Sequence, residues 1–185
     1  MKTISLKKTV ILRPYSFVLT LVTLLIVLTS CSKLDTNPKG SFINFALSGS
    51  LLNGDFEIKK MDGISDYDKA TGYILPASES VSETALINYQ DHDQGLSINL
   101  VFPAEKKLFE MQYNDSYHIS VTDLSSNTIL VSKTVSMNVS EFKKTGTGIL
   151  AKMSATGNFN GIMVFVDAAT GQEYSHTLSG KFEFN

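Results

Sequence analysis

From Ser41 to the C-terminus, apolar residues recur at every second position. Ile43, Phe45, Leu47, Gly49 and Leu51 alternate with small or polar residues, as do Leu96, Ile98, Leu100 and Phe102, and then Tyr117, Ile119 and Val121. Ile129, Val131, Val135 and Met137 fall on one parity, which Lys133 interrupts. Side chains of a strand point alternately to its two faces, so this spacing predicts strands with one face buried.

Turn-forming clusters separate these runs: Asn53-Gly54-Asp55, Asp62-Gly63, Asp91-His92-Asp93-Gln94-Gly95, Ser125-Ser126-Asn127 and Ala169-Thr170-Gly171. Each supplies residues that tolerate left-handed backbone or bond their own turn. About ten short strands at this spacing predict an all-β fold, an antiparallel sandwich or barrel. Residues 103–113 (PAEKKLFEMQY) suit either a strand or a helical turn, and the pattern leaves both open. No repeat, heptad or low-complexity tract appears.

The clearest hairpin is the last. Gly157, Phe159, Gly161, Met163 and Phe165 share one parity, a turn runs from Asp167 to Gly171, and Tyr174, His176, Leu178, Gly180, Phe182 and Phe184 share one parity of the return strand. Glycines within strands mark bulges or close approaches of backbone. This ending, Gly157-Asn158-Phe159-Asn160-Gly161 followed by Gly180-Lys181-Phe182, resembles that of small single-domain lipoproteins of unknown function common in the Bacteroidota. The upstream order is also similar, with a strand after a polar tether and a later apolar run ending in Phe102-Pro103. The middle of the chain, Glu105 to Ser140, matches that group poorly. The resemblance implies an all-β fold and brings no catalytic residues.

The N-terminus has a different texture. Lys2, Lys7, Lys8 and Arg13 precede an apolar run from Phe17 to Leu28 that only Thr20 and Thr23 interrupt. Charge followed by a short apolar core is the order of a secretory signal, and a run of this length is well short of the roughly 20 residues that cross a bilayer. The run closes on Leu28-Thr29-Ser30-Cys31, which resembles the bacterial lipobox. That resemblance implies cleavage before Cys31, a diacylglyceryl group on its thiol and acylation of the new amine. Two or three chains, each methylene contributing roughly 0.8 kcal/mol, would hold the protein on a membrane. The expected organisation is therefore a signal peptide over residues 1–30, a lipidated cysteine and flexible tether over 31–40, and one β domain over 41–185. Ser32 after the cysteine fits carriage to the outer membrane by the rule such families follow.

Charge sharpens this picture. Removal of residues 1–30 takes four of the 16 basic residues and none of the 18 acidic ones, leaving 12 against 18, a net charge of −6. No basic stretch remains that could track a phosphate backbone, so nucleic acid is excluded as the expected partner. Cys31 is the only cysteine, so no disulfide braces the domain and its stability must come from an apolar core.

Candidate chemistry is sparse. His92, His118 and His176 have no second histidine or cysteine at ligand spacing, and no metal site is expected. Asp62, Asp66 and Asp68 form one acidic loop and Asp91 with Asp93 another, but neither has the order of a calcium loop. Solvated turns are the better expectation. No G-x-S-x-G or S-x-x-K motif is present, although a Ser–His–Asp group assembles in space and not in sequence. Carboxylate pairs such as Glu105 with Glu110, or Asp115 with Asp123, are what glycoside hydrolysis needs, and among 18 acids they also arise by chance. Tyr67, Tyr73, Tyr89, Phe109 and Tyr113 could line a groove, with core packing as the commoner role. The expectation is thus a noncatalytic, cofactor-free envelope lipoprotein that binds a protein, glycan or small lipophilic ligand or serves structurally. The alternative is an envelope- or glycan-directed hydrolase with its site in strand-end loops.

Overall fold

A computed structural model describes residues 40–60, 69–79, 81–113, 115–147 and 151–185. The signal segment, Leu28, Thr29, Ser30, Cys31 and nearly all of the tether lie outside the described residues, as do Asp62, Asp66, Tyr67 and Asp68. Ten strands are present: β1 (Ser41–Ser48), β2 (Gly54–Lys60), β3 (Lys69–Leu75), β4 (Thr84–Asp91), β5 (Leu96–Pro103), β6 (Leu108–Gln112), β7 (His118–Asp123), β8 (Thr128–Thr145), β9 (Lys152–Val166) and β10 (Glu173–Phe184). No helix occurs among the described residues.

The strands form one antiparallel sheet in the order β2-β1-β10-β9-β8-β7-β5-β4-β3, with β6 also paired to β8. The all-β expectation therefore holds. The architecture is a single sheet curled into a half-barrel, its end strands β2 and β3 unpaired with each other among the described residues. Side chains draw the curl together. Gly72 of β3 lies against Met153 of β9 and Phe184 of β10, so close that a Cβ on it would fall 2.6 Å from the phenylalanine ring. Tyr89 of β4 donates its hydroxyl to the Glu183 carbonyl at 2.9 Å and meets Phe184 edge to face.

The inward face follows the period-two pattern where the strands are regular. Ile43, Phe45 and Leu47 of β1, and Leu96, Ile98, Leu100 and Phe102 of β5, are all buried. β10 and β9 interleave rings with glycines. Phe159 pairs with Gly180, and Phe182 with Gly157. A Cβ on Gly180 would lie 2.5 Å from the Phe159 ring, and one on Gly157 2.7 Å from the Phe182 ring. The glycines leave room for rings of the opposite strand, and the two rings stack at 6.4 Å.

Three expectations need correction. Ile129 and Val131 do not share the inward face with Val135 and Met137: Ile129 is 47% exposed, and Leu130 and Ser132 are buried in its place. The register of β8 on β9 slips between Ser132 and Thr134, so Lys133 is an extra residue that inverts the parity. A second slip between Val139 and Glu141 inverts it again and brings Phe142 against the core. Leu51 also leaves the pattern, because β1 ends at Ser48 and Leu51 sits exposed in the connection to β2. Phe165 is only half-buried, packed beside Tyr174 near the turn.

Residues 103–113 resolve as the end of β5, a turn and β6, in which buried Phe109 and Met111 alternate with exposed Leu108, Glu110 and Gln112. β6 exists because β8 is 18 residues long. β7 pairs with Thr128–Val131 of β8, and β6 takes over the same edge from Thr134 to Asn138. This handover leaves a cleft between the end of β6, the start of β7 and β8.

Candidate functional site

Several of the side chains singled out by their chemistry are occupied in holding connections. His176 is 1% exposed, and its Nε2 accepts the backbone N–H groups of Leu51 at 3.1 Å and Leu52 at 3.2 Å. Its Nδ1 has no hydrogen-bond partner among the described residues. Asp91 is buried and closes the β4–β5 turn, accepting the Gln94 N–H at 2.8 Å and its side-chain amide. Gln94 in turn donates to the Glu57 carbonyl, linking that turn to edge strand β2. Asp123 gathers Ser125 and Ser126 in the β7–β8 turn, and the Ser125 hydroxyl in particular holds its pKa below the usual carboxylate value. Asp167 plays the same part before β10, its carboxyl lowered chiefly by the Ala169 N–H.

The proposed carboxylate pairs are not assembled into a site. Asp115 precedes β7 and Asp123 ends it, and Glu105 and Glu110 are exposed on the turn and on the outer face of β6. The aromatics divide: Phe109 and Tyr89 are buried, and burial first, then Glu183, pushes the Tyr89 hydroxyl well above its ordinary pKa. Tyr73 and Tyr113 are exposed. His92 is exposed in its turn. No group of three metal-ligating side chains occurs among the described residues.

Where β8 exchanges β7 for β6, residues distant in sequence converge. Tyr113, Asp115, His118, Val131 and Ser132 line a cleft of about 240 Å³. Its walls are pinned by backbone. The Tyr113 N–H bonds the carbonyl of the bulge residue Lys133 at 3.0 Å. Asp115 and Gln112 bond reciprocally, N–H to carbonyl at 3.1 Å and N–H to Asp115 Oδ2 at 2.7 Å. Ser132 Oγ accepts the Ile119 N–H at 3.2 Å, replacing the ladder bond lost at the handover. An aspartate, a histidine and a serine thus share one cleft, but they form no relay: no hydrogen bond joins the three among the described residues, and Ser132 is 2% exposed.

The cleft opens on the outer face of the half-barrel, where His118 continues a row running through Val101 and Leu86 to Tyr73. The next row is Thr71, Asn88, Asn99 and Ser120. Within it, the Asn88 amide donates to Asn99 Oδ1 at 2.7 Å and the Asn99 amide donates to Ser120 Oγ at 3.4 Å, while the Asn88 amide also reaches Ser97 Oγ of the adjoining row at 2.9 Å. Sequence reasoning passed over this amide row, because only the register aligns residues 11 and 21 positions apart. A larger depression, about 510 Å³, crosses β1, β2 and β10 between Asp55, Glu57 and Lys181, and is a broad open trough of mixed charge. Comparison with models of protein families, with curated proteins and with solved structures found no match to this chain.

Proposed function

We propose that this chain is a cell-envelope lipoprotein, anchored through Cys31 to the outer membrane, whose β domain is a noncatalytic binding or structural module. The anchor reading rests on the resemblance of Leu28-Thr29-Ser30-Cys31 to a lipobox after a charged and then apolar segment. The noncatalytic reading is supported by one observation above others. His176, Asp91 and Asp123 each spend lone pairs on backbone or hydroxyl groups of a chain connection, and Asp115, His118 and Ser132, which share the cleft, are joined by no hydrogen bond among the described residues. A catalytic group must instead reach the reacting atoms within hydrogen-bond distance.

The test is fractionation of cells expressing the full chain or its Cys31→Ala variant. The expected outcome is membrane attachment that survives high salt and carbonate in the parent and is lost in the variant, with a folded domain in both. Binding without turnover of envelope or glycan polymers completes the test. Hydrolysis that disappears in Ser132→Ala or His118→Ala would replace this reading with the enzyme.

A further inference from the structure

The cleft and the amide row beside it share a chemistry that narrows the ligand. Tyr113 is 48% exposed at the cleft and Tyr73 56% exposed at the far end of the outer row. Each offers an aromatic face with a polar tip, suited to a ligand that is apolar on one side and hydroxylated at its rim. Between them Val101 and Leu86 continue the outer row, and the row beside it presents Asn88, Asn99 and Ser120, groups that donate and accept but carry no charge. Neither row contains an aspartate, glutamate, lysine or arginine. Asp115 places a carboxylate at the cleft, which accepts hydroxyl protons and repels carboxylate, sulfate or phosphate groups.

We propose that this cleft binds a neutral glycan, one sugar ring seated against Tyr113 with Asp115 and His118 bonding its hydroxyls, and the adjoining sugars lying along Ser120, Asn99 and Asn88 toward Tyr73. The inference rests on the binding-module reading and names its ligand class. Size favours it. The cleft, about 240 Å³, is smaller than the roughly 300–1,000 Å³ of sites for drug-sized molecules, and suits a single ring. Three strand intervals of about 4.8 Å separate β3 from β7, so the row runs about 14 Å, a length for a short oligosaccharide. Two such rows, about 7 Å apart, cover a few hundred Å² at most, well short of the ~800 Å² per partner of a stable protein interface. The walls are also fixed in advance by the bonds from Tyr113 to Lys133 and between Asp115 and Gln112, so little ordering cost falls on binding.

The experiment is native electrophoresis of the detergent-solubilised full chain through gels containing soluble neutral polysaccharides (mannan, dextran, xyloglucan, arabinogalactan) or an anionic control, polygalacturonate. The expected result is retardation by at least one neutral polymer and none by the control. Tyr113→Ala and His118→Ala should each weaken it tenfold or more, Asn99→Ala several-fold, and Asn158→Ala, exposed on β9 between Asn138 and Lys181 and away from the cleft, not at all. Asp115→Asn, which keeps an oxygen for the Gln112 N–H, should weaken the neutral polymer while leaving the melting temperature unchanged. Retardation that survives both Tyr113→Ala and His118→Ala, or no retardation by any neutral polymer, overturns the inference. A protein captured on this face and released by the same variants overturns it too, while leaving the anchored binding module in place. Loss of membrane attachment in the parent chain would fall on the underlying reading instead.

Discussion

His176 and Gly49 interlock. The imidazole of β10 occupies the space a side chain at position 49 would need, so that a Cβ there would overlap Cδ2 and Cγ of the ring. The same ring accepts the N–H groups of Leu51 and Leu52, and so fastens the β1–β2 connection from beneath. Gly49→Ala should destabilise the domain by about 1–3 kcal/mol through overpacking. His176→Ala should cost a similar amount or more, by opening a cavity and stranding two backbone donors. Denaturant melts measure both, and a neutral Gly49→Ala would refute the interlock. Because Nε2 is engaged by backbone, added zinc or a chelator should leave the melting temperature of the parent unchanged.

The terminal hairpin gives a test by parity. Phe159→Ala and Phe182→Ala should each cost about 3–5 kcal/mol, since both rings are almost wholly buried and each covers a glycine of the opposite strand. Asn158→Ala, Asn160→Ala and Lys181→Ala, on the exposed parity, should stay within about 0.5 kcal/mol. Phe165→Ala should fall between, being half-buried. Equal responses on the two parities would show that the rings do not form the core.

Acid should loosen the β7–β8 turn. The folded-state pKa of Asp123 lies below its ordinary value of 3.8, so the ionised form is favoured by folding. Its contribution is present above the unfolded pKa and disappears as pH falls through the folded one. Asp123→Asn should therefore be slightly less stable than the parent at neutral pH, with the gap closing below about pH 4 in urea melts. A gap that persists unchanged at pH 2 would mean that the carboxylate charge is not what the serines recognise.

Alkali probes the opposite sign. Tyr89 is buried and its pKa is raised, so folding favours the neutral phenol, and stability should fall once pH exceeds the unfolded value of about 10. Tyr89→Phe removes this dependence at the cost of its bond to the Glu183 carbonyl, about 1 kcal/mol at neutral pH. Melts at pH 8 and pH 11 separate the two effects.

The strands were legible wherever one residue advances the chain by one position on its partner. Ile43 to Leu47 and Leu96 to Phe102 could be placed inward from spacing alone. Ile129 and Val131 could not, because their direction depends on the bulge at Lys133, and nothing in spacing says whether an interrupting residue lies within the register or adds to it. Residues 108–112 read ambiguously because β6 is short, five residues, and owes its existence to the length of a strand whose paired residues lie 22 to 30 positions later. The cleft was invisible for the same reason. Tyr113, Asp115 and His118 are close in sequence, but Val131 and Ser132 join them only through pairing, and the Asn88, Asn99 and Ser120 row exists only once three strands are aligned. His176 appeared as an ordinary member of an alternating strand, and its grip on Leu51 and Leu52, over 120 positions away, had no local sign.

The central claim, a β module held to a membrane by its first mature residue, is tested most directly by the mass of the N-terminal peptide from the membrane-extracted protein. The account predicts that this peptide begins at Cys31 and carries a diacylglyceryl adduct, with a further acyl chain on the amine. A peptide beginning at Met1, or an unmodified Cys31 in a membrane-bound chain, would contradict it.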